Sequence, residues 1–180
     1  MTSTLIRARF LLTALVTVTA TMPGMAQLKK QEIPGLPNYS RLEAATGFGG
    51  QVEPEGMARL KKEGFVSVIT LRRETEAGAN IDALRTAAKA AGLKFIHISV
   101  HPTTPDAKVV AEFLAAVGDK TNQPAYIYSG SGNRVGSMWM IKRVLQDKWT
   151  VEKAIAEAKE IGLISQTLTK FATDYIETHK

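Results

Sequence analysis

Three short apolar runs, set apart by helical patterns, constrain this chain more than any other feature. Phe65-Val66-Ser67-Val68-Ile69-Thr70-Leu71 is rich in β-branched residues and reads as a strand. A second strand is expected over residues 94–100, and a third over Pro124-Ala125-Tyr126-Ile127-Tyr128. Pro54 suits the first turn of a helix that Met57 and Leu60 continue to a stop at Gly64. Residues 81–91 are alanine-rich and helical, and Gly92 ends them. Pro105 and Asp106 open a helix with the apolar stripe Val109, Val110, Phe113, Leu114 and Val117. A helix over residues 135–146 follows the third strand, with Met138 and Trp139 expected in its core-facing part, and Thr150 and Ser165 stand where two further helices need caps. Strands joined through helices lie parallel, with helices covering both faces of the sheet. The expected fold class is therefore α/β, with a mostly parallel central sheet and helices on both faces. Ligands of such sheets bind outside the carboxyl ends of the strands.

Composition narrows the chemistry. At 180 residues, 44% apolar and 22% charged, the chain describes one globular domain. It has no cysteine, which excludes disulfides, thiolate metal sites and a catalytic thiol. The three histidines are scattered, so no metal and no cofactor is expected. The formal charge of +6 is spread over separate pairs such as Lys29-Lys30, Lys61-Lys62 and Arg72-Arg73, which argues against nucleic acid as a partner.

Residues 1–26 form the three-part pattern of a secretory signal peptide. Arg7 and Arg9 precede an apolar run over residues 10–22, and small residues lead to a cut between Ala26 and Gln27. The run is shorter than the roughly 20 residues of a membrane span, so no stable membrane insertion is expected after cleavage. The chain is expected in the periplasm or secreted. Residues 27–40, with Pro34 and Pro37, read as an N-terminal arm, and residues 41–180 as the folded domain.

Ser129-Gly130-Ser131-Gly132-Asn133-Arg134 joins the third strand to the next helix. Glycines let the backbone fold tightly there, so several N–H groups can converge on one point. The helix adds unpaired N–H groups and its positive dipole end. Arg134 offers a planar fork of donors suited to a tetrahedral oxyanion. Gly130, Ser131, Gly132, Asn133 and Arg134 are thus the expected phosphate-binding residues, with the Ser129 hydroxyl at the base. Arg72 and Arg73 end the first clear strand, and Arg72 is an expected further phosphate or acidic-substrate contact.

Gly49-Gly50-Gln51, Glu53-Pro54-Glu55-Gly56, Leu60, Gly64-Phe65, Val68-Ile69-Thr70-Leu71-Arg72 and Ser129-x-x-Gly132-x-Arg134 occur in that order. Together they resemble the bacterial protein-tyrosine-phosphatase-like domain of the cysteine-phosphatase superfamily, also found joined to β-lactamase-like hydrolases. The resemblance covers residues 40–163. It implies a cysteine-phosphatase-like fold and a loop of the form His-Cys-x-x-Gly-x-x-Arg. In that chemistry a thiolate attacks phosphorus, the arginine and loop amides hold the equatorial oxygens, and an aspartate protonates the leaving group.

Three departures stand out. Tyr128 occupies the histidine position, Ser129 the nucleophile position, and Arg134 follows one residue early. A hydroxyl cannot ionise as a thiol does and needs an adjacent general base. His101 falls where the resemblance places the leaving-group acid, and Asp106 is the alternative. The plainer readings are a loop residue holding a turn for His101 and a first-turn helix carboxylate for Asp106. His97 reads as packed within its strand. The function expected is capture of a phosphate ester, carried by a phosphorylated small molecule or a phosphoprotein, with weak or no hydrolysis. Alternatives are an active phosphomonoesterase using Ser129 with a histidine base, and a rhodanese-like sulfur-handling relative suggested by the short loop.

Overall fold

The computed structural model describes residues 28–180, so the signal-peptide reading of residues 1–26 lies outside the described residues. A six-stranded mixed sheet forms the middle of the molecule. Its strands are β1 (Leu28–Lys30), β2 (Ser40–Leu42), β3 (Thr46–Gly49), β4 (Ser67–Thr70), β5 (Lys94–His97) and β6 (Ala125–Tyr128). They lie in the order β1-β2-β3-β6-β4-β5. The first three pair antiparallel, whereas β3, β6, β4 and β5 run parallel. The segment expected as an arm is therefore part of the fold. It supplies an edge strand, and it buries Leu36 and Tyr39 in the core. Its prolines and lack of periodicity hid a packing role that depends on distant partners.

The helices are α1 (Gly56–Lys62), α2 (Ile81–Ala90), α3 (Lys108–Gly118), α4 (Asn133–Leu145), α5 (Val151–Ile161) and α6 (Gln166–His179). Strand alternation divides the core into two layers. Val68, Tyr126 and Tyr128 face Met57 and Leu60 of α1 and Leu84 and Ala88 of α2. Ile69, Ala125 and Ile127 face the apolar sides of α3 to α6, with Met138 and Trp139 among them. Both expected caps form. Thr150 accepts from the Lys153 N–H, and Ser165 from the Leu168 N–H. Among the described residues no helix is long and apolar enough to cross a membrane.

This arrangement puts β6 at the centre, flanked on both sides by parallel strands. The chain leaves its carboxyl end at Ser129 and turns at once into α4.

Candidate functional site

Two backbone hydrogen bonds steady the exit from β6: the Leu71 N–H donates to the Tyr128 carbonyl at 2.9 Å, and the Gln51 N–H to the Gly130 carbonyl at 3.3 Å. Gly132 caps α4 with a φ of 93°, a left-handed conformation, and a Cβ there would stand 2.7 Å from the Ile161 carbonyl oxygen. Only glycine suits that position. The resulting turn aims the Gly132 N–H at the Ser129 Oγ, 3.1 Å away. Among the described residues, the N–H groups of Gly130, Ser131, Asn133 and Arg134 have no acceptor within the protein. They are unpaired donors at the positive end of a thirteen-residue helix.

Arg134 is buried and already oriented. Its Nη1 donates to Glu76 Oε1 at 2.5 Å and to the Val100 carbonyl at 3.0 Å, and its Nη2 donates to Glu76 Oε2 at 2.8 Å. Of the five guanidinium N–H donors, the Nε–H and one on Nη2 remain for a ligand. Glu76 is the counterweight. Burial works to raise its carboxyl, but hydrogen bonds from Arg134, the Arg73 N–H and Arg72, with the charge of Arg134, hold it down at about 2. Glu76 is thus an anion throughout the physiological range, and it fixes the plane of the Arg134 fork.

Arg72 does not stand ready for phosphate as expected. It is buried and donates to Glu76 Oε2, to Gln51 Oε1 and to the carbonyls of Ala77 and Gly78, so it braces the turn after β4. Asn133 leaves its backbone N–H without an acceptor, while its side chain braces the loop, the Nδ2 donating to the Ser131 Oγ at 3.0 Å. Its Oδ1 accepts from the Ile164 and Ser165 N–H groups, both at 2.8 Å, and ties the loop to the start of α6.

Of the general-acid candidates, His101 follows its plainer reading, whereas Asp106 stands ahead of α3 and not in its first turn, because the helix starts only at Lys108. His101 Nδ1 accepts from the Thr103 and Thr104 N–H groups, at 3.3 and 3.1 Å, and holds a turn. Asp106 is exposed and accepts from the Lys108 N–H at the start of α3. His97 donates from Nε2 to the Arg72 carbonyl at 2.7 Å. Ser129 Oγ, 1% exposed as a residue, has no hydrogen bond to a histidine or carboxylate among the described residues. Tyr128 offers no base either, since burial pushes its hydroxyl up to about 12. Among the described residues no group of three or more acidic or histidine side chains could hold a metal ion. A groove of about 1060 Å³ has Ser131, Asn133, Pro37 and Ile164 in its walls.

A family model described as "DSP-PTPase phosphatase fused to NAD+ Kinase" matches residues 20–173. The chain belongs to this PTP-NADK family. The fusion partner in the description is an NAD+ kinase, and the matches give no support to a link with β-lactamase-like hydrolases.

A PTP-NADK relative, "Probable NAD kinase 2, chloroplastic" of Oryza sativa subsp. japonica, is 31% identical over 93 residues, or 51% of this chain. The chain spans only 10% of that protein's length. Solved structures share the fold. A DUF442 protein from Shewanella putrefaciens CN-32 matches with a TM-score of 0.68 and 16% identity, covering 82% of this chain and 94% of that one. The cysteine-to-serine form of P. aeruginosa TpbA, in complex with phosphotyrosine, matches at 0.64 and 16% identity, with 86% and 91% covered. The core catalytic domain of the PP-IP phosphatase SIW14 from S. cerevisiae matches at 0.63 and 19%, with 78% and 86% covered. This PTP-NADK chain therefore has a phosphatase-like α/β fold.

Sequence reasoning missed Glu76. It lies in an aperiodic turn, 58 residues from Arg134. The available signal was an acid placed four residues after an arginine at the end of an apolar run, a spacing that lets the two pair.

Proposed function

We propose that this chain is an exported phosphatase-like protein whose 129–134 loop captures a phosphate ester and hydrolyses it weakly or not at all. One observation carries the proposal: Arg134, clamped by Glu76, keeps two donors beside a loop whose amides lack acceptors. Donors fixed in place before the ligand arrives suit a tetrahedral oxyanion. The low turnover follows from Ser129, which has a hydrogen-bond donor for a neighbour and no base. The cysteine-to-serine form of TpbA, which was solved with phosphotyrosine, lends support by fold analogy. The ester is carried by a phosphorylated small molecule or a phosphoprotein. Export rests on the leader pattern of residues 1–26.

Equilibrium titration with phosphate, sulfate and vanadate tests the site. Arg134→Ala is expected to weaken binding about tenfold or more, since a charge-assisted hydrogen bond contributes about 1.5–3 kcal/mol. Arg72 remains to pair with Glu76 in that variant. Equal binding by the two proteins would refute anion capture at the loop.

A further inference from the structure

Three arginines converge on one carboxylate beside the loop, and they are not equivalent. Arg134 and Arg72 donate hydrogen bonds from their guanidinium groups to Glu76. Arg73 reaches Glu76 by its backbone N–H, at 3.0 Å. Its guanidinium Nε is buried, lies 3.6 Å from Glu76 Oε1 and has no hydrogen-bond partner. Its two Nη groups likewise donate to no acceptor among the described residues, and the side chain is 35% exposed. Glu76 has little left to give it, because both carboxylate oxygens already accept from other donors.

The local charge is therefore unbalanced: three guanidiniums face one carboxylate, next to the positive end of α4. Like charges so close destabilise one another unless an anion joins them. A phosphate in the loop would take the two remaining donors of Arg134 and the loop amides. Arg73, which approaches the same Glu76 oxygen as Arg134, would still lack an acceptor. Arginine suits phosphate because its planar fork matches two oxygens at once.

We propose that Arg73 forms a second anion subsite, taking a further phosphate of a ligand whose first phosphate sits in the 129–134 loop. The subsite rests on the loop's capture of a phosphate ester. The ligand class is one with two neighbouring phosphates, such as an organic diphosphate.

Inorganic phosphate and pyrophosphate, titrated at one ionic strength, separate the two subsites. The wild-type protein is expected to bind pyrophosphate about tenfold more tightly than phosphate, in line with one added charge-assisted contact. Arg73→Gln is expected to cut that preference to under about twofold, and Arg73→Lys, which keeps the charge but not the fork, to retain part of it. An undiminished preference in both variants would overturn the second subsite. Wild-type protein that binds phosphate but prefers pyrophosphate by less than about twofold would also overturn it, while leaving anion capture intact. Wild-type protein that binds neither anion would overturn both proposals.

Discussion

Ser129 and Glu76 are the two residues whose replacement reports most directly on how the loop works. The loop amides and the end of α4 stabilise a negative charge at position 129, but a hydroxyl is too weak an acid to carry one there. A thiol in the same field ionises readily. Ser129→Cys is therefore expected to raise hydrolysis of a generic aryl phosphate at least about tenfold, roughly 1.4 kcal/mol of barrier. Equal rates would mean that a general base serves the serine, and His101→Ala would then identify it or dismiss it. Glu76 makes a second prediction, in stability. A carboxyl held at about 2 contributes fully above its unfolded value of 4.5 and loses that contribution as pH falls toward 2. Glu76→Gln should be less stable than wild type at pH 7, by on the order of 3 kcal/mol at most. The gap should close between about pH 4.5 and 2 in urea melts; a gap that is flat with pH would contradict the ion pair's role. The loop itself was legible because strand, glycines and helix start are consecutive. Glu76, and the diversion of Arg72 into a brace, were not, because both depend on a turn whose partners are remote in sequence.

Among the helices, α4 packs tightly on the end of α5, and Gly136 permits it. A Cβ at Gly136 would lie 2.7 Å from the Ala158 carbonyl oxygen and 2.8 Å from Leu163 Cβ. Alanine would gain about 1 kcal/mol of helix propensity, yet overpacking costs about 1–3 kcal/mol. Gly136→Ala is expected to be destabilising overall by up to about 2 kcal/mol in urea unfolding; a more stable variant would show that the two helices can part freely. The helices and their caps were readable, since periodicity and the side chains of Thr150 and Ser165 are local signals. β1, β2 and β3 were not. Each has three or four residues. The sequence of β3, Thr46-Gly47-Phe48-Gly49, carries one large apolar side chain, so its identity as a strand comes from its pairing with β6.

For the whole molecule, the proposed export gives a direct measurement. Amino-terminal sequencing of the purified native protein should begin at Gln27, with the protein in the periplasmic fraction. Retention of Met1 in a membrane fraction would contradict it. The cut would leave the sheet whole, because β1 begins at Leu28. The position of β6 has a consequence for how the molecule comes into being. It is the strand between β3 and β4, yet it is synthesised after both, and after α1, α2 and α3 as well. Until residues 125–128 emerge, the two halves of the sheet have no edge to share, and their inner faces cannot close. Such long-range pairing makes folding late and concerted. A growing chain of this design stays pliable through most of its synthesis, the condition in which a polypeptide can still be threaded across a membrane.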